Sequence, residues 1–147
     1  MPMYLEDFKA GQVFTTPART ITEADVAAFA GLSGDYNPLH TDAEFSAKTA
    51  YKQRIAHGML GMSIMTGLGA RTGMMEGSAL AFLGIENWKF QKPIFFGDTI
   101  HVKMTVTDVR TASKPGTGVI KRFVEIVNQR GEVAQAGTLV TLVRARP

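Results

Sequence analysis

The chain has 147 residues, of which 45% are hydrophobic and 20% charged, and this balance predicts one globular domain spanning residues 1–147. The formal net charge of +3 comes from basic residues that are scattered without a block, so we expect no nucleic-acid partner. The absence of cysteine excludes disulfides and thiol nucleophiles.

The sequence shows no targeting or membrane-spanning signal. Its first residues, MPMYLEDFKAG, lack a basic region followed by an apolar run, which predicts no signal peptide and a cytoplasmic location. The longest apolar stretch, AHGMLGMSIMTGLGA, is shorter than the roughly 20 residues that cross a bilayer. We therefore expect no membrane association.

The segment TEADVAAFAGLSGD predicts a short amphipathic helix. Thr22 and Asp25 stand in the positions of a capping box, so the helix begins there. Gly34 tolerates a helix-ending conformation, and Pro38 disfavours the α region for the residue before it. The helix should therefore end near Asp35.

Two further helices are predicted downstream. TDAEFSAKTAY predicts a short one capped by Thr41 or Asp42. Another is predicted over about Gly58 to Arg71, and its apolar residues occupy nearly the whole circumference, which indicates a helix surrounded by protein. These residues are Met59, Leu60, Met62, Ile64, Met65 and Leu68.

From about residue 79 the hydrophobic period changes to two. In TIHVKMTVTDV the apolar residues alternate with polar ones, as in a half-buried strand. VIKRFVEIVN and VAQAGTLVTLV follow after turn-rich segments, which predicts an antiparallel meander, with further strands in ALAFLGIENWKF and QVFTTPARTI. We therefore predict an α+β fold in which a curved antiparallel sheet wraps around the apolar helix.

Asp35 and His40, in GDYNPLH, are the first candidates for chemistry. Either residue alone is common in turns or packing positions. Because Pro38 stiffens the segment between them, the two side chains could be held at a fixed separation and share a water as an acid–base pair.

His57 and Gly58, in AHGM, open the apolar helix. The first amide N–H groups of a helix have no intrahelical partner, so the Gly58 N–H is suited to stabilise an enolate-like oxygen. A plain hinge role for this glycine remains open.

Three other patterns are set aside. GMSIM, around Ser63, lacks the second glycine and the strand-to-helix turn of a serine nucleophile elbow. GLGARTG ends a helix instead of following a strand, which argues against a nucleotide-binding loop. His40, Asp42 and His57 lack compact ligand spacing, so we expect no metal.

The stretch SGDYNPLHTDAEFSAKTAYKQRIAHGML resembles the hydratase-2 motif of the MaoC-like dehydratases, the (R)-specific enoyl-CoA hydratases of the hotdog fold. NWKFQKPIFFGDTI resembles a later strand and turn of that family. The resemblance implies a hotdog fold, a homodimer and an acyl-CoA thioester substrate. It implies no cofactor, since CoA enters only as part of the substrate.

The resemblance also implies roles for single residues. Asp35 and His40 match the catalytic dyad, and Gly58 matches the glycine whose amide binds the thioester carbonyl. Asn37 matches a residue that braces the turn, and Thr66 stands where some relatives carry a serine. The residues assigned to substrate binding are Asn37, His57, Ser63 and Thr66.

The implied reaction is the reversible syn hydration of trans-2-enoyl-CoA to (R)-3-hydroxyacyl-CoA. A 3-hydroxyacyl-ACP dehydratase would use the same dyad, and a non-catalytic acyl-binding partner subunit is the alternative outside catalysis. A hotdog thioesterase is disfavoured because it has no need of the Asp-x-Asn-Pro-x-His block. The basic residues available for the CoA phosphates are Lys52, Arg54, Lys89 and Lys92.

Overall fold

The computed structural model describes residues 1–147 and contains one antiparallel sheet of six strands. The strands are β1 (Val13–Thr15), β2 (Arg19–Thr20), β3 (Ala79–Phe90), β4 (Thr99–Thr111), β5 (Thr117–Val127) and β6 (Val133–Arg144). Their order across the sheet is β1-β4-β5-β6-β3, and β2 also pairs with β4. The predicted meander is confirmed as β4-β5-β6, whereas QVFTTPARTI forms two short strands instead of one.

Four α-helices precede β3, and a short 3₁₀ turn lies at Leu5–Asp7. The helices are α1 (Glu23–Ser33), α2 (Pro38–Thr41), α3 (Ala43–Ala47) and α4 (Gly58–Ala70). The predicted capping box is present, with the Thr22 N–H donating to Asp25 at 2.9 Å and the Asp25 N–H donating to Thr22 Oγ1 at 3.2 Å. None of these helices is both long and apolar enough to span a bilayer.

The core lies between α4 and the sheet. Leu60, Ile64 and Leu68 of α4 pack in one cluster with the inward residues of the strands. The period-two prediction for β4 is confirmed, because the four alternating residues are at most 2% exposed. Those residues are Ile100, Val102, Met104 and Val106.

The prediction that protein surrounds α4 is wrong along one stripe of the helix, which is exposed. Met59 is 57% exposed, and Ser63, Thr66 and Ala70 continue the exposed stripe along the helix. The edge strand β3 is also open and carries exposed large apolar side chains. These are Leu80, Phe82, Leu83, Ile85 and Phe90. Within a single chain, therefore, neither the helix nor the sheet is fully covered.

Candidate active site

Asp35 directly follows Gly34, the C-cap of α1. Gly34 has a φ of 77°, a left-handed conformation that glycine adopts without steric cost, and it ends the helix where the sequence predicts. Two hydrogen bonds then fix the acid: Asp35 Oδ1 accepts from the Asn37 N–H at 3.1 Å, and the Asp35 N–H donates to Ser33 Oγ at 3.1 Å. The carboxylate itself remains exposed.

His40 lies inside α2, a single helical turn that the sequence analysis treats only as a rigid turn. Pro38 occupies the first turn of this helix, where its missing N–H costs nothing. Asn37 caps α2, because its Oδ1 accepts from the Leu39 N–H at 3.0 Å. Asn37 thus donates its N–H to the Asp35 carboxylate and accepts from the Leu39 N–H with its side chain, which ties Asp35 to the first turn of the helix that carries His40.

The contacts of His40 define its neutral tautomer. Its Nδ1 lies 2.7 Å from the carbonyl oxygen of Ile55. Because a carbonyl oxygen only accepts hydrogen bonds, Nδ1 must carry the hydrogen. The lone pair of the neutral ring is therefore on Nε2, which is the form a general base requires.

Asp35, His40 and His57 form one cluster, in which a carboxylate oxygen and a nitrogen from each ring all lie within 4.8 Å of one another. The side chains of Asp35 and His40 do not bond each other directly. Two hydrogen bonds of about 2.8 Å meeting at one water oxygen span such a gap. The arrangement can therefore hold a water between acid and imidazole.

His57 is buried beneath this pair, at 2% exposure. Its ring stacks on His40 with centroids 3.8 Å apart, and its Nε2 donates to the backbone carbonyl of Asp35 at 2.9 Å. The substrate-binding role that the sequence predicts for His57 stays a prediction. The His57 side chain contacts both Asp35 and His40.

Asp35, His40 and His57 form the chain's only cluster of possible metal ligands. The set considered from the sequence contains Asp42 where this cluster has Asp35. Asp42 instead caps α3, accepting from the Phe45 N–H at 2.9 Å. The planes of the two imidazoles are 27° from parallel, so their in-plane lone pairs do not converge on one point. This geometry disfavours a shared metal, and the expectation of no metal stays a prediction.

Gly58 begins α4 directly after His57, so the helix N-terminus adjoins the cluster. The N–H groups of Gly58 and Met59 donate to no acceptor in the chain, and the helix dipole adds positive potential there. A Cβ at position 58 would lie 2.7 Å from the ring of Phe90, so glycine is the residue that fits. These amides can stabilise a developing oxyanion.

Gln135 and Trp88, which the sequence analysis does not single out, hold the start of α4. Gln135 Nε2 donates to the Gly58 carbonyl at 3.1 Å, and the Trp88 indole N–H donates to Gln135 Oε1 at 3.2 Å. Gln135 is 2% exposed, and Trp88 is half-buried. A long polar residue inside the otherwise apolar strand segment VAQAG is the signal that could have identified Gln135.

Ser63 and Thr66 lie on the exposed stripe of α4. Their hydroxyls donate within the helix, from Ser63 to the Met59 carbonyl at 2.9 Å and from Thr66 to the Ser63 carbonyl at 2.7 Å. At 1.5 Å per residue, Thr66 is about 12 Å along the axis from Gly58. Along α4, Ser63 is therefore about 1.4 turns and Thr66 about 2.2 turns from Gly58.

The chain has two hollows, and a residue of the cluster, His40, lines only the smaller one. A cleft of about 390 Å³ includes His40, Tyr36 and Arg54 in its wall. A larger cavity of about 780 Å³ lies between the second half of α4 and strands β3 to β6, and Thr66 is part of its wall. The second half of α4 lines the larger cavity, whereas no residue of α4 lines the smaller cleft.

Two of the four basic residues considered for the CoA phosphates already have partners. Arg54 pairs with Glu23 at 2.8 Å and lies 4.8 Å over the ring of Phe96, and Lys92 pairs with Glu132. Lys52 and Lys89 take part in none of the chain's salt bridges.

Comparison with known proteins identifies the family of the chain. Residues 7–128 match the family model described as a MaoC like domain. The chain belongs to the MaoC-like dehydratase family. An (R)-specific enoyl-CoA hydratase of Rhodospirillum rubrum is 35% identical over 144 residues, which cover 97% of this chain and 93% of that protein. The family resemblance seen in the sequence, to a group of hydro-lyases, is confirmed.

Solved structures share the fold of this chain. A monoamine oxidase regulatory protein from Archaeoglobus superposes with a TM-score of 0.92 at 36% identity, covering 99% of this chain and 97% of that one. A Mycobacterium tuberculosis protein described as a double hotdog fold superposes with a TM-score of 0.85 at 23% identity, covering 99% of this chain and 45% of that one. The predicted α+β hotdog fold is confirmed.

Proposed function

We propose that this protein catalyses the reversible syn hydration of trans-2-enoyl-CoA thioesters to (R)-3-hydroxyacyl-CoA. The observation that supports this most is the clustering of Asp35, His40 and His57 within 4.8 Å, directly before the unpaired amides of α4. The site thus combines a pair that can activate water with donors for an oxyanion. Membership of the family supports the same reaction.

In the proposed reaction, Asp35 and His40 hold the water that adds to C3 of the enoyl group. As the C3–O bond forms, the water gives a proton to the dyad through His40 Nε2, and the dyad delivers a proton to C2 from the same side. The reaction therefore consumes no net proton. Acid–base action of this kind typically contributes about 10² to 10⁴ in rate.

The Gly58 amide is the proposed donor to the thioester oxygen, which gains negative charge while C3 is attacked. A single oxyanion donor typically contributes about 3 to 4 kcal/mol to transition-state stabilisation. Gln135 and Trp88 keep this amide in place by holding the Gly58 carbonyl. This chemistry requires no cofactor, and CoA takes part only as a portion of the substrate.

We further propose a homodimer that forms through β3. This strand lies at the edge of the sheet, has twelve residues and carries five exposed large apolar side chains. Long apolar edge strands pair with other chains unless they are covered. Sedimentation at micromolar concentration should give a dimer, and a particle of only 15.9 kDa would contradict the proposal. The cytoplasmic location expected from the sequence stays a prediction.

A panel of trans-2-enoyl thioesters tests the proposed function. Loss of enoyl absorbance without release of thiol is the expected result. Release of thiol would indicate a thioesterase, and binding without either change would indicate an acyl-binding subunit. Comparing CoA with acyl-carrier-protein thioesters of the same acyl chain separates the hydratase from the ACP dehydratase that shares its dyad.

A further inference from the structure

Arg122 lies on β5 at a position where the alternating pattern of the strand predicts an apolar side chain. On β5 it lies between Ile120 and Val124, which share its face toward the core and are both fully buried. Arg122 itself is only 7% exposed. In the segment VIKRFVEIV, every second residue of this face is apolar except the arginine.

The buried guanidinium has no counter-ion in the chain. Nη2 donates to Thr141 Oγ1 at 2.8 Å and Nη1 lies 3.8 Å from the Met104 sulfur, while Nε has no acceptor. Arg122 takes part in none of the salt bridges. Burial lowers the pKa of Arg122 to about 10, so the group remains charged at neutral pH. A buried charge without a partner is costly and needs an explanation.

Arg122 lies in the wall of the 780 Å³ cavity. Most of that wall is apolar and rich in methionine, with Met65, Met74 and Met75 on the helix side. Glu76 is the other charged residue of the wall, but it is exposed and in none of the salt bridges. The cavity is therefore suited to an aliphatic chain and offers one buried cation.

The exposed stripe of α4 connects the proposed active site to this cavity. It begins beside Gly58 and reaches Thr66, which lies both on the stripe and in the cavity wall. The helical rise gives a separation of about 12 Å between these two residues. An acyl chain whose thioester oxygen meets the Gly58 amide can thus run along α4 and place its far end in the cavity.

We propose that the cavity binds the far end of an acyl chain that carries a terminal carboxylate, with Arg122 as its counter-ion. This inference rests on the proposed function and gives it a substrate class, the enoyl-CoA thioesters of dicarboxylic acids. A carboxylate can accept from Nε–H and from an Nη–H together, whereas an alkyl end would leave the cation unpaired. The separation from Gly58 favours chains of medium length over the shortest ones.

Calorimetric titration with non-reactive saturated thioesters tests the inference apart from catalysis. Adipoyl-, suberoyl- and sebacoyl-CoA are each compared with the alkanoyl-CoA of equal carbon number. We expect the wild-type protein to bind the longer carboxylated ligands at least about tenfold more tightly than their alkyl counterparts, as a charge-assisted pair would give. Equal or tighter binding of the alkyl ligand at every length would overturn the inference.

Arg122→Met should reduce this selectivity ratio about tenfold to hundredfold, while Arg110→Met, a change of the same type on the exposed end of β4, should leave the ratio unchanged. An unchanged ratio in a folded Arg122→Met protein would overturn the inference. If that variant does not fold, Arg122→Gln takes its place, because it removes the charge and keeps a polar group near the Thr141 hydroxyl. An unchanged ratio there would have the same meaning.

A hydration assay with crotonyl-CoA separates this inference from the proposed function. Hydration without selectivity for carboxylated ligands would leave the function standing and overturn the inference. Selectivity that depends on Arg122, with no hydration of any enoyl thioester, would support the binding site and overturn the function. Failure to bind any acyl-CoA would overturn both.

Discussion

The imidazole of His57 stacks on that of His40, with ring centroids 3.8 Å apart and planes 27° from parallel. His57 also donates from Nε2 to the Asp35 carbonyl, so one buried ring touches both members of the proposed dyad. His57→Phe keeps a ring for stacking but loses this donor. We expect its kcat to fall about tenfold or more with little change in KM, because small displacements of catalytic groups are costly.

The conservative variant His57→Gln places an amide nitrogen near the position of Nε2 and should recover part of the lost kcat. Steady-state kinetics and thermal unfolding of both variants test this role. If kcat falls only in proportion to the folded fraction, His57 is merely structural and the positioning role is wrong.

Substitution of Asp35 or His40 should lower turnover more than substitution of His57 does. Asp35→Asn and His40→Asn should each lower turnover by at least about 10²-fold, since each removes one half of an acid–base pair. Both variants conserve the local contacts, because an amide oxygen at position 35 still accepts from the Asn37 N–H and an amide nitrogen at position 40 still donates to Ile55.

The control for the dyad is His101→Asn, on the half-buried surface of β4 away from the cluster. It should leave turnover near the wild-type value. Circular dichroism should show intact folds for all three proteins. Near-normal hydration by either dyad variant would contradict the assignment.

Gly58 is predicted to tolerate no side chain. Gly58→Ala brings a Cβ to within 2.7 Å of the Phe90 ring, which must displace either the ring or the first turn of α4. We expect hydration to fall at least about tenfold, and the double variant Gly58→Ala/Phe90→Ala to recover part of it by removing the clash. Gly67→Ala in the same helix meets no atom within 4 Å and should be neutral or stabilising by thermal denaturation. Alanine keeps the backbone N–H, so unchanged hydration in Gly58→Ala would mean that the Phe90 ring moves aside and would contradict the predicted steric constraint at position 58.

Several features of the site could be predicted because they depend on neighbours in the chain. The capping box of Thr22 and Asp25, the helix end at Gly34 and the inward face of β4 all follow from local spacing. The Asp35 and His40 pair was found in the same way, since a proline stiffens the segment between them.

Other features could not be predicted because they depend on packing between distant segments. The stacking of His57 under His40 requires the loop that leads into α4 to fold back onto α2. The pairing of Gln135 with Gly58 joins the last strand to the start of α4. The exposed stripe of α4 was also missed, because an apolar helix pattern does not distinguish burial within one chain from burial by another molecule.

The hydrogen bonds of Gln135 with Trp88 and Gly58 should stabilise the fold. Gln135→Met removes the acceptor of the Trp88 indole N–H and the donor to the Gly58 carbonyl, leaving polar groups buried without partners. Such losses typically cost about 1 to 3 kcal/mol. Urea denaturation should show a destabilisation in this range, whereas Gln53→Met, on the surface, should change the free energy of unfolding by less than about 0.5 kcal/mol. Equal stability of the two variants would contradict the bracing role.

The stereochemistry of hydration tests the central claim most directly. Asp35 and His40 are joined by a short stiff segment, so hydroxyl and proton must reach the same side of the bound alkene. Crotonyl-CoA is incubated with the enzyme in D₂O, and chiral analysis with NMR of the product gives the configuration at C3 and the position of deuterium at C2. The account predicts (R)-3-hydroxybutyryl-CoA formed by syn addition. An (S) product, anti addition or no hydration at all would contradict it.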